Sequence, residues 1–209
     1  MKRHEKWITE YPTAAEQGVT LVEVLIACSL TVVLFATVFA MLISTIKSVS
    51  LQTTQIDAQQ MAQLALDRIQ REMRQTQKPF LLQSLVPGSS ETIIYAADLN
   101  NDGVSETIKY EYQHSTGMLT RQVNATGAIN FDASPKDVLA KYIANDSSQR
   151  IFTFYGTDLN NPLDPNLPQS DIIDKSRVIR VRLIIDKDPN KPPAAFDMAT
   201  DVKLRNFGY

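Results

Sequence analysis

The chain of 209 residues has one cysteine, Cys28, one tryptophan, Trp7, and two histidines, His4 and His114. A lone thiol closes no internal disulfide, so packing or a bound metal must hold the folded part together even in a compartment that permits disulfides. Two distant histidines and one cysteine supply neither a zinc-spaced cluster nor a nucleophile with its base, and no glycine-rich phosphate loop is present. Paired carboxylates are the only catalytic material left, as in any chain with 23 acidic residues. The chain therefore reads as no enzyme. Its net charge of −2 and the lack of a basic cluster leave no electrostatic footprint for nucleic acid, and no nucleic-acid partner is expected.

Charge, proline and glycine are missing together from Val24 to Ile46, 23 residues long enough for a helix of about 20 residues to cross a bilayer. Without proline or glycine, nothing in this run predicts a kink. A secretory signal peptide is excluded, because its apolar region runs only about 7 to 15 residues before a small-residue cleavage site. Lys2, Arg3 and Lys6 precede the run and Lys47 follows it, which biases the N-terminus toward the cytoplasm and everything after Lys47 toward the outside. Glu23 stands at the start of this run. A carboxylate at the bilayer centre costs about 2.5 to 3.5 kcal/mol on insertion scales, so one at a membrane span calls for a function and a partner. The bland alternative is an ordinary signal anchor with an acid at its edge.

Gly18-Val19-Thr20-Leu21-Val22-Glu23 resembles the cleavage and methylation segment of type IV prepilins and type II secretion pseudopilins. The resemblance implies that a prepilin peptidase cuts after Gly18, removes residues 1–18 as a leader and methylates the amine of Val19. It also implies that Glu23, with Thr20 in the same segment, sets subunit register during assembly. The electrostatics are consistent: a neighbour's carboxylate in low dielectric would neutralise the new α-amine and favour one axial register. Val19 stands where that family usually has Phe, and Gln17 where it often has a basic residue.

Beyond the apolar run, Val49, Ile56, Ala62, Leu66, Ile69 and Met73 recur at three- and four-residue intervals, predicting an amphipathic continuation whose stripe meets a folded domain. Asp67 with Arg71 and Arg68 with Glu72 read as i,i+4 pairs on the solvated surface, each contributing about 0.2 to 0.5 kcal/mol. Eight glutamines from Gln52 to Gln77 keep this half polar with little charge. Pro79 ends the helix near Gln77, so residues 19 to 77 form one helix of roughly 90 Å.

Residues 80–90 read as a connector, after which the period becomes alternating. Strands are predicted at Thr92 to Ala97, Val104 to Gln113, Met118 to Val123, Arg150 to Tyr155, Arg177 to Asp186 and Thr200 to Arg205. Turns fall at Asn100-Asn101-Asp102-Gly103 and His114-Ser115-Thr116-Gly117, with a long loop from Asp158 to Ser170. Along Arg177 to Asp186, Arg180 and Arg182 should face water while Val181, Leu183 and Ile185 face the core. The fold class is α+β: a long N-terminal helix, membrane-spanning in its first half, packed on an antiparallel sheet in the pilin-like manner. The expected divisions are leader 1–18, membrane and assembly half 19–46, amphipathic half 47–78, and an exported β-rich domain 79–209.

Asp98, Asn100, Asp102 and Gly103, followed by Glu106, place oxygen side chains and a tight turn as the first half of an EF-hand loop does. The twelfth position, where such loops carry a bidentate Glu, is Lys109. A metal-free hairpin turn is the other reading, since Asn and Asp accept left-handed backbone and Asp-Gly suits that geometry. No cofactor is required, and calcium is the one metal that the sequence offers.

Val178 to Leu183 followed by Val202 to Asn206, and Asp98 to Tyr112, are similar to segments of J-type minor pseudopilins and W-type minor pilins. That resemblance implies a non-enzymatic minor subunit that primes or caps a type II secretion pseudopilus or type IV pilus. Its partners would be the prepilin peptidase, other minor and major pilins or pseudopilins, and the inner membrane. The subunit would wait in the bacterial inner membrane as a single-pass protein and move to a filament tip. Within the class, a competence or twitching pilus is the alternative. Outside it stands a membrane-anchored exported β-domain that binds calcium or a partner without polymerising.

Overall fold

The computed structural model describes residues 18–76, 81–83, 90–146, 148–165 and 167–204. Residues 1–17 of the leader, the expected helix end at Gln77, the connector from 84 to 89 and Arg205 lie outside the described residues. Helix α1 covers Leu21–Met73, 53 residues without interruption. The chain divides into two compact units, Met1–Ser48 and Val49–Tyr209.

In the first unit α1 is exposed throughout and, by length and composition, long and apolar enough to cross a membrane. Several of its hydroxyls are satisfied within the helix: Ser29 Oγ donates to the Ile26 carbonyl at 2.8 Å, Thr31 Oγ1 to Ala27 at 2.7 Å and Thr37 Oγ1 to Leu34 at 2.8 Å. Such back-bonding suits a hydrocarbon surrounding, where an unpaired hydroxyl finds no water.

The second unit is α+β, with eight antiparallel strands in two sheets among the described residues. Strands β1 (Leu81–Gln83), β2 (Ser90–Ala97), β3 (Glu106–Gln113), β4 (Met118–Asn124) and β5 (Asp137–Ala140) form one sheet in chain order. Strands β6 (Phe152–Tyr155), β7 (Val178–Ile185) and β8 (Phe196–Lys203) form the other, and a short helix α2 (Gln169–Lys175) precedes β7. The expected meander is present: Tyr95 lies opposite Ile108 across β2 and β3, and Tyr110 opposite Arg121 across β3 and β4. At the β3–β4 turn Gly117 has φ +60°, and a Cβ there would come within 3.1 Å of the Ile143 carbonyl oxygen. Glycine meets both demands.

The helical half from Val49 onward packs on the sheets through Ala65, Leu66, Ile69 and Met73, which share one core with Ile93, Tyr95, Ile108 and Tyr110. Alternation on β7 follows the expectation, with Val181, Leu183 and Ile185 buried and Arg180 and Arg182 turned out. The helical stripe differs from the predicted one. Val49 and Ile56 are exposed, while Ala58 and Ala65 join Ala62, Leu66, Ile69 and Met73 in the buried set. At 100° per residue Ile56 lies about opposite Ala58, so an apolar residue stood on the outer face and a small alanine on the inner one.

Other boundaries also shift. The helix begins at Leu21 and ends at Met73, the Asp158 to Ser170 loop yields to α2 at Gln169, and residues 81–83 are strand β1 where a connector was expected. Strand β3 starts at Glu106, two residues after Val104, and β8 starts at Phe196, four before Thr200.

Candidate functional site

Gly18, Val19 and Thr20 precede the helix in exposed, non-helical chain, and nothing lies within 4 Å of where a Gly18 Cβ would be. The Gly18–Val19 peptide bond is thus open to approach. Two residues on, the chain is pinned: Thr20 N–H and Thr20 Oγ1 each donate to Glu23 Oε2 at 3.0 Å, and Glu23 N–H donates to Thr20 Oγ1 at 3.3 Å. This is a reciprocal capping box, with Thr20 as N-cap and Glu23 three residues later. The Thr-x-x-Glu spacing was available in the sequence, and attention to the Glu23 charge alone missed it. The box satisfies two of the orphan donors at the helix start and holds the carboxylate beside the chain that leads to Val19. Oε2 takes both Thr20 donors, whereas Oε1 accepts no hydrogen bond among the described residues and stays open to a cationic donor.

The second predicted constellation is gathered into one turn between β2 and β3. Asp98 Oδ1 accepts from Asp102 N–H at 3.2 Å and its Oδ2 from Gly103 N–H at 2.9 Å. Asn100 Oδ1 accepts from Asp102 N–H at 3.0 Å, Asp102 Oδ1 from Val104 N–H at 2.7 Å, and Glu106 Oε2 from Leu99 N–H at 2.9 Å. Asn101 and Gly103 adopt left-handed backbone, φ 58° and 84°. The four side chains are therefore together, but each already accepts a main-chain N–H. Among the described residues no group of three or more His, Cys, Asp or Glu side chains is arranged to hold a metal ion. Lys109, in the place of the bidentate acid, pairs instead with Glu111 at 3.2 Å.

A third cluster corrects the sequence reading. The Arg68–Glu72 pair was expected on the solvated surface, yet Glu72 is 8% exposed and points at the sheet. Its Oε2 accepts from Tyr110 OH at 2.6 Å and Arg121 Nε at 2.9 Å, while Oε1 lies 3.3 Å from Arg68 Nε. Asp137 on β5 lies 3.5 Å from Arg68 and 3.6 Å from Arg121. Burial first, then the Glu72 charge, pushes the Tyr110 phenol up. Burial works against the Arg121 cation, but the Glu72 hydrogen bond and charge outweigh it and raise its pKa. No periodicity marks this cluster, because its members are separated in sequence and meet only through the fold.

At the junction of the two sheets Glu91 Oε2 accepts from Ile151 N–H at 3.0 Å and Phe152 N–H at 3.2 Å. Burial raises the Glu91 pKa, opposed by those two N–H groups and by the Arg150 charge. His114 lies beside it, Nε2 3.8 Å from Glu91 Oε1, its ring 4.5 Å from that of Tyr112. No family model, no curated protein and no solved structure matches the chain.

Proposed function

We propose that this chain is a non-enzymatic minor pilin or pseudopilin, a processed single-pass subunit that primes or caps a type II secretion pseudopilus or type IV pilus. The observation that carries the reading is the sequence Gly18-Val19-Thr20-Leu21-Val22-Glu23 at the entry to α1, with an exposed Gly18–Val19 bond, a pinned Glu23 and an apolar helix behind them. A prepilin peptidase cuts after Gly18 and frees the Val19 amine at the cytoplasmic face of the inner membrane. The open Oε1 of Glu23 on a neighbouring subunit accepts that amine, and the pairing sets axial register as the helix leaves lipid for a bundle of other pilin helices. The domain after Lys47 stays outside and takes part in the filament tip. Intact mass measurement of the protein from its native membrane tests this. The expected result is loss of residues 1–18 and one added methyl; a functional polypeptide that still begins at Met1 overturns it. Because Trp7 leaves with the leader, the processed form should also lack indole fluorescence.

A second reading, a tethered β-domain that binds calcium without polymerising, draws on the convergence of Asp98, Asn100, Asp102 and Glu106 in one turn. Calcium would have to take oxygens from the N–H groups they now hold.

A further inference from the structure

We infer that the pocket beside β6 is a binding site for a carboxylate attached to an apolar body the size of one aromatic side chain. The pocket is partly enclosed, with a volume of about 180 Å³. Buried Phe152, Phe154 and Ile172 line it from β6 and α2, Pro162 and Leu163 line it from the intervening loop, and half-buried Arg150 adds a guanidinium. An apolar cavity of about 150 Å³ accepts a benzene ring, so the space takes one ring or branched aliphatic group.

The charge in the pocket selects the rest of the ligand. Arg150 forms no hydrogen bond or ion pair among the described residues. Glu91, which feels the Arg150 charge through space, already accepts Ile151 and Phe152 N–H groups. Asp146 Oδ1 is taken by Ser148 N–H at 2.8 Å, Ser148 Oγ at 2.6 Å and Gln149 N–H at 2.9 Å. A half-buried guanidinium on a mostly apolar pocket, with Glu91 Oε2 and Asp146 Oδ1 already taken, is matched by a carboxylate, which it can meet with two parallel N–H groups. An added peptide strand is not the occupant. The outer edge of β6 is covered where Leu163 N–H donates to the Phe154 carbonyl at 2.8 Å and Glu91 holds the Phe152 N–H. Recognition therefore runs through one side chain and one acid group, carried by a free aromatic acid or by the carboxyl end of a polypeptide.

Saturation-transfer NMR on the full chain in nanodiscs, with empty nanodiscs as the blank, tests the site. The probes are phenylpropionate and the tripeptide Ala-Ala-Phe, each as free acid and as amide. Binding of an acid above the blank is expected, weakened about tenfold or more in the amide and in Arg150→Gln, where a charge-assisted pair is lost, and partly retained in Arg150→Lys. Arg150→Gln should keep a melting temperature close to that of the wild type, since Arg150 forms no hydrogen bond or ion pair among the described residues. Binding of the free acid alone assigns a small-molecule ligand, and binding of the peptide acid assigns a chain terminus. The site is overturned if neither acid binds above the blank, if acid and amide bind equally, or if Arg150→Gln binds as wild type.

Discussion

Glu72 on α1 and Arg121 on β4 meet 2.9 Å apart across the helix–sheet boundary, both more than nine-tenths buried, with Tyr110 OH completing the contact at 2.6 Å. Removing Glu72 leaves the buried Arg121 with only the half-exposed Asp137 at 3.6 Å, and breaking such a buried pair costs about 3 to 5 kcal/mol, whereas replacing both partners with apolar groups is often neutral. Glu72→Ala should therefore lower the unfolding midpoint of the full chain sharply, and Glu72→Leu combined with Arg121→Met should recover most of the loss. Denaturant unfolding of the two variants checks this. A Glu72→Ala variant within about 0.5 kcal/mol of wild type would show the cluster to be solvated after all.

Acid titration should separate two kinds of carboxylate. Hydrogen bonds from Arg182 and Arg180 hold Asp197 and Asp201 below the usual carboxylate range. Their contribution is present above about pH 3.9, the unfolded value, and is lost as pH falls through the lower folded values; it is small, because both pairs are exposed.

Glu91 works in the opposite sense. Burial raises its pKa, so the folded chain holds this proton more tightly than the unfolded chain does. The stability from this group is present below about pH 4.3 and is lost as pH rises through the higher folded value. Glu91→Gln keeps an acceptor for the Ile151 and Phe152 N–H groups without the charge. Its melting temperature should gain on wild type as pH climbs from about 4 to about 7; a gap that stays constant over that range contradicts the assignment.

The fold was legible where periodicity reports burial. Alternation located β7, and the change of period after the connector located the meander; β3 and β7 alternate in burial, whereas β2 and β4 are covered on both faces along their middle residues. Short elements escaped. Strand β5 has four residues, two of them exposed, and α2 follows an Asn- and Pro-rich loop, so neither leaves a repeating pattern. Of the candidate sites, Glu23 and the 98–106 turn were visible as local spacings. The Glu72 cluster and the Arg150 pocket were not, since each is assembled from segments far apart in the chain.

Calcium melting curves weigh the two readings of the 98–106 turn. Asp98 accepts two main-chain N–H groups, so Asp98→Ala should destabilise by about 1 to 3 kcal/mol in chelator alone, through the loss of hydrogen bonds to a charged acceptor. A wild-type melting temperature that does not move at millimolar calcium removes the metal reading. A rise that Asp98→Ala abolishes supports it.

The sharpest division concerns Glu23, which both caps a helix and carries a charge. Glutamine at the third position of a capping box still accepts the N-cap hydrogen bonds, so Glu23→Gln keeps the Thr20 contacts and loses only the negative charge. Thr20→Ala does the reverse, costing about 1 kcal/mol at the helix start while the carboxylate stays. If charge pairing with a neighbour's amine sets register, Glu23→Gln should insert in the membrane yet fail to assemble, and Thr20→Ala should assemble at reduced yield. Membrane fractionation and filament recovery from the host measure both steps. The opposite result, assembly by Glu23→Gln and failure of Thr20→Ala, would make Glu23 a helix cap at the membrane edge and leave the amine without its partner.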